Sequence, residues 1–234
     1  MKYLKLISLA YLALIASCSN KVSSPDYSRW FPLEVGFFWE YQSEQYIFYK
    51  EIIDFQRLPN GEIGYQQKII HKSKIPNTPA IASFSTLAII GNELREYYDT
   101  SCENGYRILL RFPLKVGDTW NGDAPGPCPW VNPDGETLYV APLGQTSDSV
   151  AIREDVTVPA GRFKSCYRIH QLTDYPTATS FYQFWFTPNV GFVKWTYDKY
   201  FNVDPIGPAS YADDDYVLID FGSTKSDRLK LPLN

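Results

Sequence analysis

The sequence predicts an all-β protein, a curved antiparallel meander sheet that forms an open or half barrel. Three observations predict it. Short segments rich in Tyr, Phe, Trp, Ile and Val follow one another almost without interruption, separated by turn signals. Beyond the first 18 residues, no window of 12 or more carries a convincing 3.6-residue period, although Pro79 to Leu87 has room for a short helix. Aromatic residues make up 16% of the chain and the only Met is the initiator, so rings and branched aliphatics must fill the core. Those residue types fit a pleated, half-buried surface.

Taken in order, Gly36 to Gln42, Tyr46 to Gln56 and Gly64 to Lys72 read as the first three strands. Asn60-Gly61 joins the second to the third, because a two-residue hairpin turn needs positive φ at positions that Asn and Gly tolerate. Phe84 to Ile90 and Glu93 to Tyr98 flank Gly91-Asn92 in the same manner. Further strands are expected at Arg107 to Phe112, Glu136 to Ala141, Ser149 to Val158 and Phe163 to Gln171. The last three are Thr179 to Phe186, Phe192 to Phe201 and Tyr216 to Phe221. Asn121 to Gly135 and Pro205 to Asp215 read as two long loops, a length often tied to function. A dozen strands joined by tight turns must curl or close to protect their edges and cover their apolar face.

The N-terminus gives an address. Lys2 and Lys5 precede an apolar run too short to span a bilayer, which needs about 20 apolar residues. That run closes on Leu14-Ile15-Ala16-Ser17-Cys18, a lipobox, so Cys18 is expected to be the lipidated first residue of the mature protein. Residues 1–17 are read as a lipoprotein signal peptide, 18–27 as lipidated Cys and flexible tether, and 28–234 as one all-β domain. Removing residues 1–17 takes away Lys2 and Lys5 and no acid, which moves the formal charge from −4 to −6 and excludes nucleic acid as a natural partner. The partner expected instead is a membrane, through the lipid on Cys18. No acidic run follows Cys18, so the expected location is the cell envelope, at the outer membrane facing the periplasm.

Cys102, Cys128 and Cys166 remain, in a compartment where disulfides persist. Cys102 and Cys128 sit in loop-like sequence and are expected to pair. Cys166, within an apolar strand, reads as a small buried hydrophobe. No C-x-x-C occurs, so neither a redox dithiol nor a zinc knuckle is indicated.

An internal echo links Phe31-Pro32-Leu33-Glu34-Val35-Gly36-Phe37-Phe38-Trp39 to Phe112-Pro113-Leu114-Lys115-Val116-Gly117-Asp118-Thr119-Trp120, with six of nine positions identical. Phe, Leu and Val alternate with Pro and a charge in each copy, which predicts one inward face, a Gly turn and a Trp at the start of the next strand. The phrase is either a duplicated ligand-binding element or, more simply, two equivalent strand starts whose rings plug the ends of a curved sheet. In Val158-Pro159-Ala160-Gly161 and Pro188-Asn189-Val190-Gly191, the Pro, Asn and Gly residues encode tight hairpins.

Together the lipobox, F-P-L-x-V-G-x-x-W, V-P-A-G-x-F with its following Cys-Tyr, and P-x-V-G-x-V-K resemble a large group of uncharacterised bacterial lipoproteins. The resemblance covers most of the mature chain and implies no reaction and no site residues. More distantly, the architecture looks like the open half-barrels of LolA- and LolB-type lipoprotein carriers, from which no residue is carried over.

Catalytic signatures are missing. His71 and His170 each lie in a strand-like run outside any metal-spacing motif, and a G-x-S-x-G elbow, an H-E-x-x-H helix, a P-loop and a dinucleotide fingerprint are all absent. No metal and no cofactor are expected. Asp213-Asp214-Asp215 lacks calcium-loop spacing and reads as a solvated strand edge. Trp130, between Pro129 and Val131 in a long loop, is the candidate ligand contact, with burial against its own sheet as the alternative. The expected role is a non-enzymatic binding or assembly module whose concave face accepts a lipid or other hydrophobic ligand. A carbohydrate-binding or glycan-hydrolysing lipoprotein and a structural subunit without ligand are the alternatives.

Overall fold

The structure, a computed structural model, describes residues 26–97, 105–122, 128–131, 137–140, 145–174, 178–201 and 214–223. The described residues form strands and turns with no helix. The first half of the chain supplies β1 (Phe37–Gln42), β2 (Tyr46–Arg57), β3 (Ile63–Ser73), β4 (Ile81–Ile90), β5 (Glu93–Tyr97) and β6 (Tyr106–Arg111). Then come β7 (Thr119–Asn121), β8 (Cys128–Val131) and β9 (Thr137–Val140). The rest supplies β10 (Gln145–Val158), β11 (Gly161–Asp174), β12 (Ala178–Thr187), β13 (Gly191–Phe201) and β14 (Asp214–Ser223).

Twelve of these strands form one antiparallel sheet in the order β6-β5-β4-β3-β2-β1-β14-β13-β12-β11-β10-β7, which curls into a nearly closed barrel. The single seam lies between β6 and β7. Among the described residues one main-chain bond crosses it, from the Ile108 amide to the Gly122 carbonyl at 2.8 Å. The order exposes a duplication. Strands β1 to β6 make one six-stranded meander, β7 and β10 to β14 make a second, and the two halves join at β1–β14.

The repeated phrase occupies equivalent places in the two halves. Gly36 and Gly117 take positive φ, and their amides donate to Ile52 of β2 and Val150 of β10 at 2.7 and 2.9 Å. Phe31 and Phe112 are both buried, with ring centroids 6.5 and 6.2 Å from the ring of Phe186. Two copies of one phrase thus close the same end of the barrel from opposite sides. The expected alternation holds only for Phe and Leu. Val35 and Val116 are exposed, because the chain turns at this point instead of running as a strand.

Several strand expectations need correction. Pro79 to Leu87 contains no helix, and β4 begins at Ile81, exposed over Ile81 to Phe84 and buried over Thr86 to Ala88. The stretch read as a loop from Asn121 to Gly135 contains β8, which pairs with β9 as a separate two-stranded sheet. The short β7 is the strand that the repeated phrase expects to start at Trp120; three residues are too few to show a period of their own. Strand β10 starts at Gln145, and β14 starts at Asp214, so the second expected loop ends earlier than Asp215.

Hairpin chemistry matches the turns. Gly61 has φ +86° and its amide donates to Leu58 at 2.9 Å. At the β12–β13 turn, Asn189 and Gly191 both take positive φ. A Cβ at Gly191 would lie 3.1 Å from the Phe31 ring, so glycine also lets the terminal plug sit close.

Candidate functional site

The barrel encloses a cavity of about 210 Å³ with two unlike walls. Alternation builds both. On β2, Phe48, Lys50 and Ile52 share the inward face with His71, Ile69 and Gln67 of β3, their cross-strand partners. On β11 and β12, Ile169 and Gln171 pair with Phe184 and Tyr182.

One wall is aromatic. Trp195 of β13 stands 4.3 Å from Tyr41 and 5.7 Å from Phe48 between ring centroids, and it stacks on Tyr216 at 4.8 Å. Tyr182 stacks on Tyr197 at 4.5 Å. The Tyr41 hydroxyl donates to the Phe192 carbonyl at 2.9 Å, and burial pushes its pKa far above the ordinary phenol value. This phenol stays neutral and acts as a fixed donor.

The other wall is charged. Glu96 of β5 accepts from Arg107 of β6 at 2.6 Å (Nη2) and 2.7 Å (Nε), both on Oε2. Asp148 of β10 is buried and accepts from the Gln171 amide at 2.9 Å. Lys50 completes the set, its Nζ 5.2 Å from the Phe48 ring centroid and 5.7 Å from that of Trp195. Burial pulls its pKa below the ordinary lysine value, with Glu96 opposing and Arg107 reinforcing that shift. For Glu96, burial pushes upward, but Arg107 and Lys50 together hold the carboxyl below its ordinary range. Arg107 lies on the seam strand with its side chain 47% exposed, so the cavity opens to solvent on that side.

A larger and more open hollow, about 660 Å³, flanks the β7 edge between Trp120 and the His170–Phe181 ring pair. It gathers no comparable set of paired charges. The enclosed cavity is therefore the candidate site.

The residues singled out in the sequence fall elsewhere. Cys18 and Cys102 lie outside the described residues. Cys128 and Trp130 belong to β8, opposite Val140 and Leu138 of β9, and their side chains are outside what the structure describes. The reading of Trp130 as a loop residue is corrected by that pairing. Cys166 is buried and unbridged, as expected of a small hydrophobe. His71 packs against Tyr46 and Phe48 at 4.5 and 5.5 Å, and no metal-binding cluster occurs among the described residues. Asp215 sits on the edge of β14 and pairs with Lys194 at 3.3 Å, 64% exposed, a solvated position.

Sequence reasoning missed Lys50, Glu96, Arg107 and Asp148. A signal existed for Lys50, since Phe48-x-Lys50-x-Ile52 places a cation on the face of two core residues. For the others the deciding information is register, which brings separate strands together only once the sheet curls.

No family model matches the chain, and no curated protein matches it. Two solved structures share part of its chain path. One is a protein provisionally described as a lipoprotein from Parabacteroides distasonis ATCC 8503, with TM-score 0.46 and 14% identity over 82% of this chain and 98% of that chain. Another is a protein provisionally described as exported, with a YmcC-like fold, from Bacteroides fragilis NCTC 9343, with TM-score 0.48 and 14% identity over 83% and 99%. At this identity neither assigns a residue or a role to the present chain.

Proposed function

We propose that the chain is a non-enzymatic binding module of the cell envelope, anchored to the outer membrane by lipid on Cys18, that holds a small hydrophobic or amphiphilic ligand inside its barrel. The observation that carries this reading is the enclosed cavity, with rings on one side and buried charge on the other. An apolar wall supplies affinity and a few placed polar groups supply orientation, which is the usual composition of a small-ligand site. The volume lies below the roughly 300–1,000 Å³ of drug-sized sites, so the fitting ligand is one ring or one short chain.

A glycan-directed reading has one observation in its favour. Glu96 and Asp148, two acids, line the same cavity as Trp195. Glycoside cleavage needs one acid to hold its proton near neutrality, however, and Glu96 is shifted the opposite way by Arg107 and Lys50. Binding without hydrolysis is the stronger reading.

Native mass spectrometry with organic extraction, on protein purified from a bacterial periplasm, tests the proposal. A stoichiometric adduct extractable into organic solvent supports it. A clean apo mass, together with a hit on a glycan array, moves the assignment to the carbohydrate reading.

A further inference from the structure

Lys50 and Asp148 hold equivalent positions in the two halves of the barrel. Lys50 lies opposite Trp39 and Asp148 opposite Trp120, the two tryptophans of the repeated phrase. Each stands two residues before the point where its strand slips register, at Ile52/Asp54 in β2 and at Val150/Ile152 in β10. Their other neighbours differ. Asp148 faces Gln171, whose amide answers it at 2.9 Å. Lys50 faces Ile69, which has nothing to offer a cation.

What surrounds Lys50 is therefore incomplete for an ammonium, which carries three donors. Two ring faces attract it, at 5.2 and 5.7 Å, but ring faces replace only part of the lost hydration. Among the described residues it has no hydrogen-bond or ion-pair partner. Glu96 lends it a favourable field, but that carboxylate gives Oε2 to Arg107 in two short bonds. With Asp148 the cavity holds two cations and two acids, and among the described residues Lys50 is the cation that no carboxylate meets within ion-pair distance.

We propose that Lys50 is the recognition residue for the anionic head group of a small amphiphile, whose apolar part lies against Phe48, Trp195 and Tyr41. This deepens the binding reading above and rests on it. An oxyanion beside Nζ supplies the missing acceptors, while the adjoining rings accept an aryl or short alkyl tail. The equivalent position in the other half carries an acid, which Gln171 meets at Oδ1, so selection of an anionic head group belongs to the Lys50 side of the cavity.

The test is isothermal titration of the full-length lipidated protein in lipid nanodiscs with 4-phenylbutyrate, 4-phenylbutanol and 4-phenylbutylamine, blanked against empty nanodiscs. The acid is expected to bind at least about tenfold tighter than the alcohol or the amine, the order of one charge-assisted hydrogen bond. Lys50→Met keeps the aliphatic stem, and it should remove that preference while leaving the alcohol within about twofold. Equal binding of acid and alcohol, or an unchanged acid affinity in Lys50→Met, overturns the role of Lys50 and leaves the cavity as a hydrophobe site. No binding by any of the three overturns both readings. The comparison of head groups on the unmodified chain is decisive even if the variant fails to fold.

Discussion

Glu96 ties the interior charge to stability. Arg107 and Lys50 hold its carboxyl below the ordinary value of 4.5, against the upward push of burial. A carboxylate depressed in the folded state contributes stability that is present above its unfolded pKa and is lost as pH falls through the folded one. Urea titrations should therefore show the protein weakening as pH drops below about 4.5. Glu96→Gln should flatten that acid limb and cost about 1–3 kcal/mol at pH 7, because it leaves buried cations less well answered. An acid limb unchanged in the variant would place the responsible groups elsewhere. Cys166 gives a second check at this scale. Its thiol donates to the Phe163 carbonyl at 3.6 Å, and burial, with help from Asp155, pushes its pKa up to about 11. Iodoacetamide at pH 8 should leave Cys166 unmodified in the native protein and alkylate it in denaturant, since the thiolate is the reacting species. Its neighbours were legible as a strand from their apolar pattern, and so its burial was legible too.

Elements differ in how securely they are held. Strand β12 is paired on both sides along most of its length and β13 on both sides over Lys194–Tyr197, whereas β6 and β7 flank the seam. Amide hydrogen exchange should therefore be faster in β6 and β7 than in β12 and β13. Uniform protection around the barrel would mean that the seam closes in solution. Gly122 controls this edge. A Cβ there would lie 2.6 Å from an Asp148 oxygen and 2.9 Å from Thr146, so Gly122→Ala should push β7 off β10 and speed exchange of the Ile108 amide. Long strands with period-2 patterns and Gly-marked turns were readable from the sequence, as at β2, β3 and the Asn60-Gly61 hairpin. Strand β7 was marked only by the Trp of the repeated phrase, and β8 not at all, because three or four residues bounded by Gly and Pro carry too little pattern to separate them from a loop.

Across the whole molecule, Phe186 is the point where the two halves meet, fully buried between Phe31 and Phe112. Phe186→Ala should cost about 3–5 kcal/mol in chemical denaturation, since the cavity it leaves touches both copies of the repeated phrase. A cost under about 1 kcal/mol would show that the barrel end repacks freely. The proposed anchoring through Cys18 is tested at this scale as well. Metabolic labelling with radioactive palmitate should mark the wild-type protein and miss Cys18→Ser, which should then appear in the soluble fraction. Label retained in Cys18→Ser would place the lipid elsewhere or remove it from the account.

The sequence by itself determined the all-strand class, most strand positions, the turn residues and the existence of a duplicated phrase. Each of these follows from local chemistry: β-branched and aromatic side chains prefer pleated surfaces, and Gly, Asn and Pro set the backbone where it must turn. Tertiary structure alone decided that the sheet curls until β6 meets β7, that both phrases converge on Phe186, and that Lys50, Glu96, Arg107 and Asp148 share one cavity. Closure and register act between residues far apart in the chain, and a strand's own pattern shows which face is inward without showing what it will face.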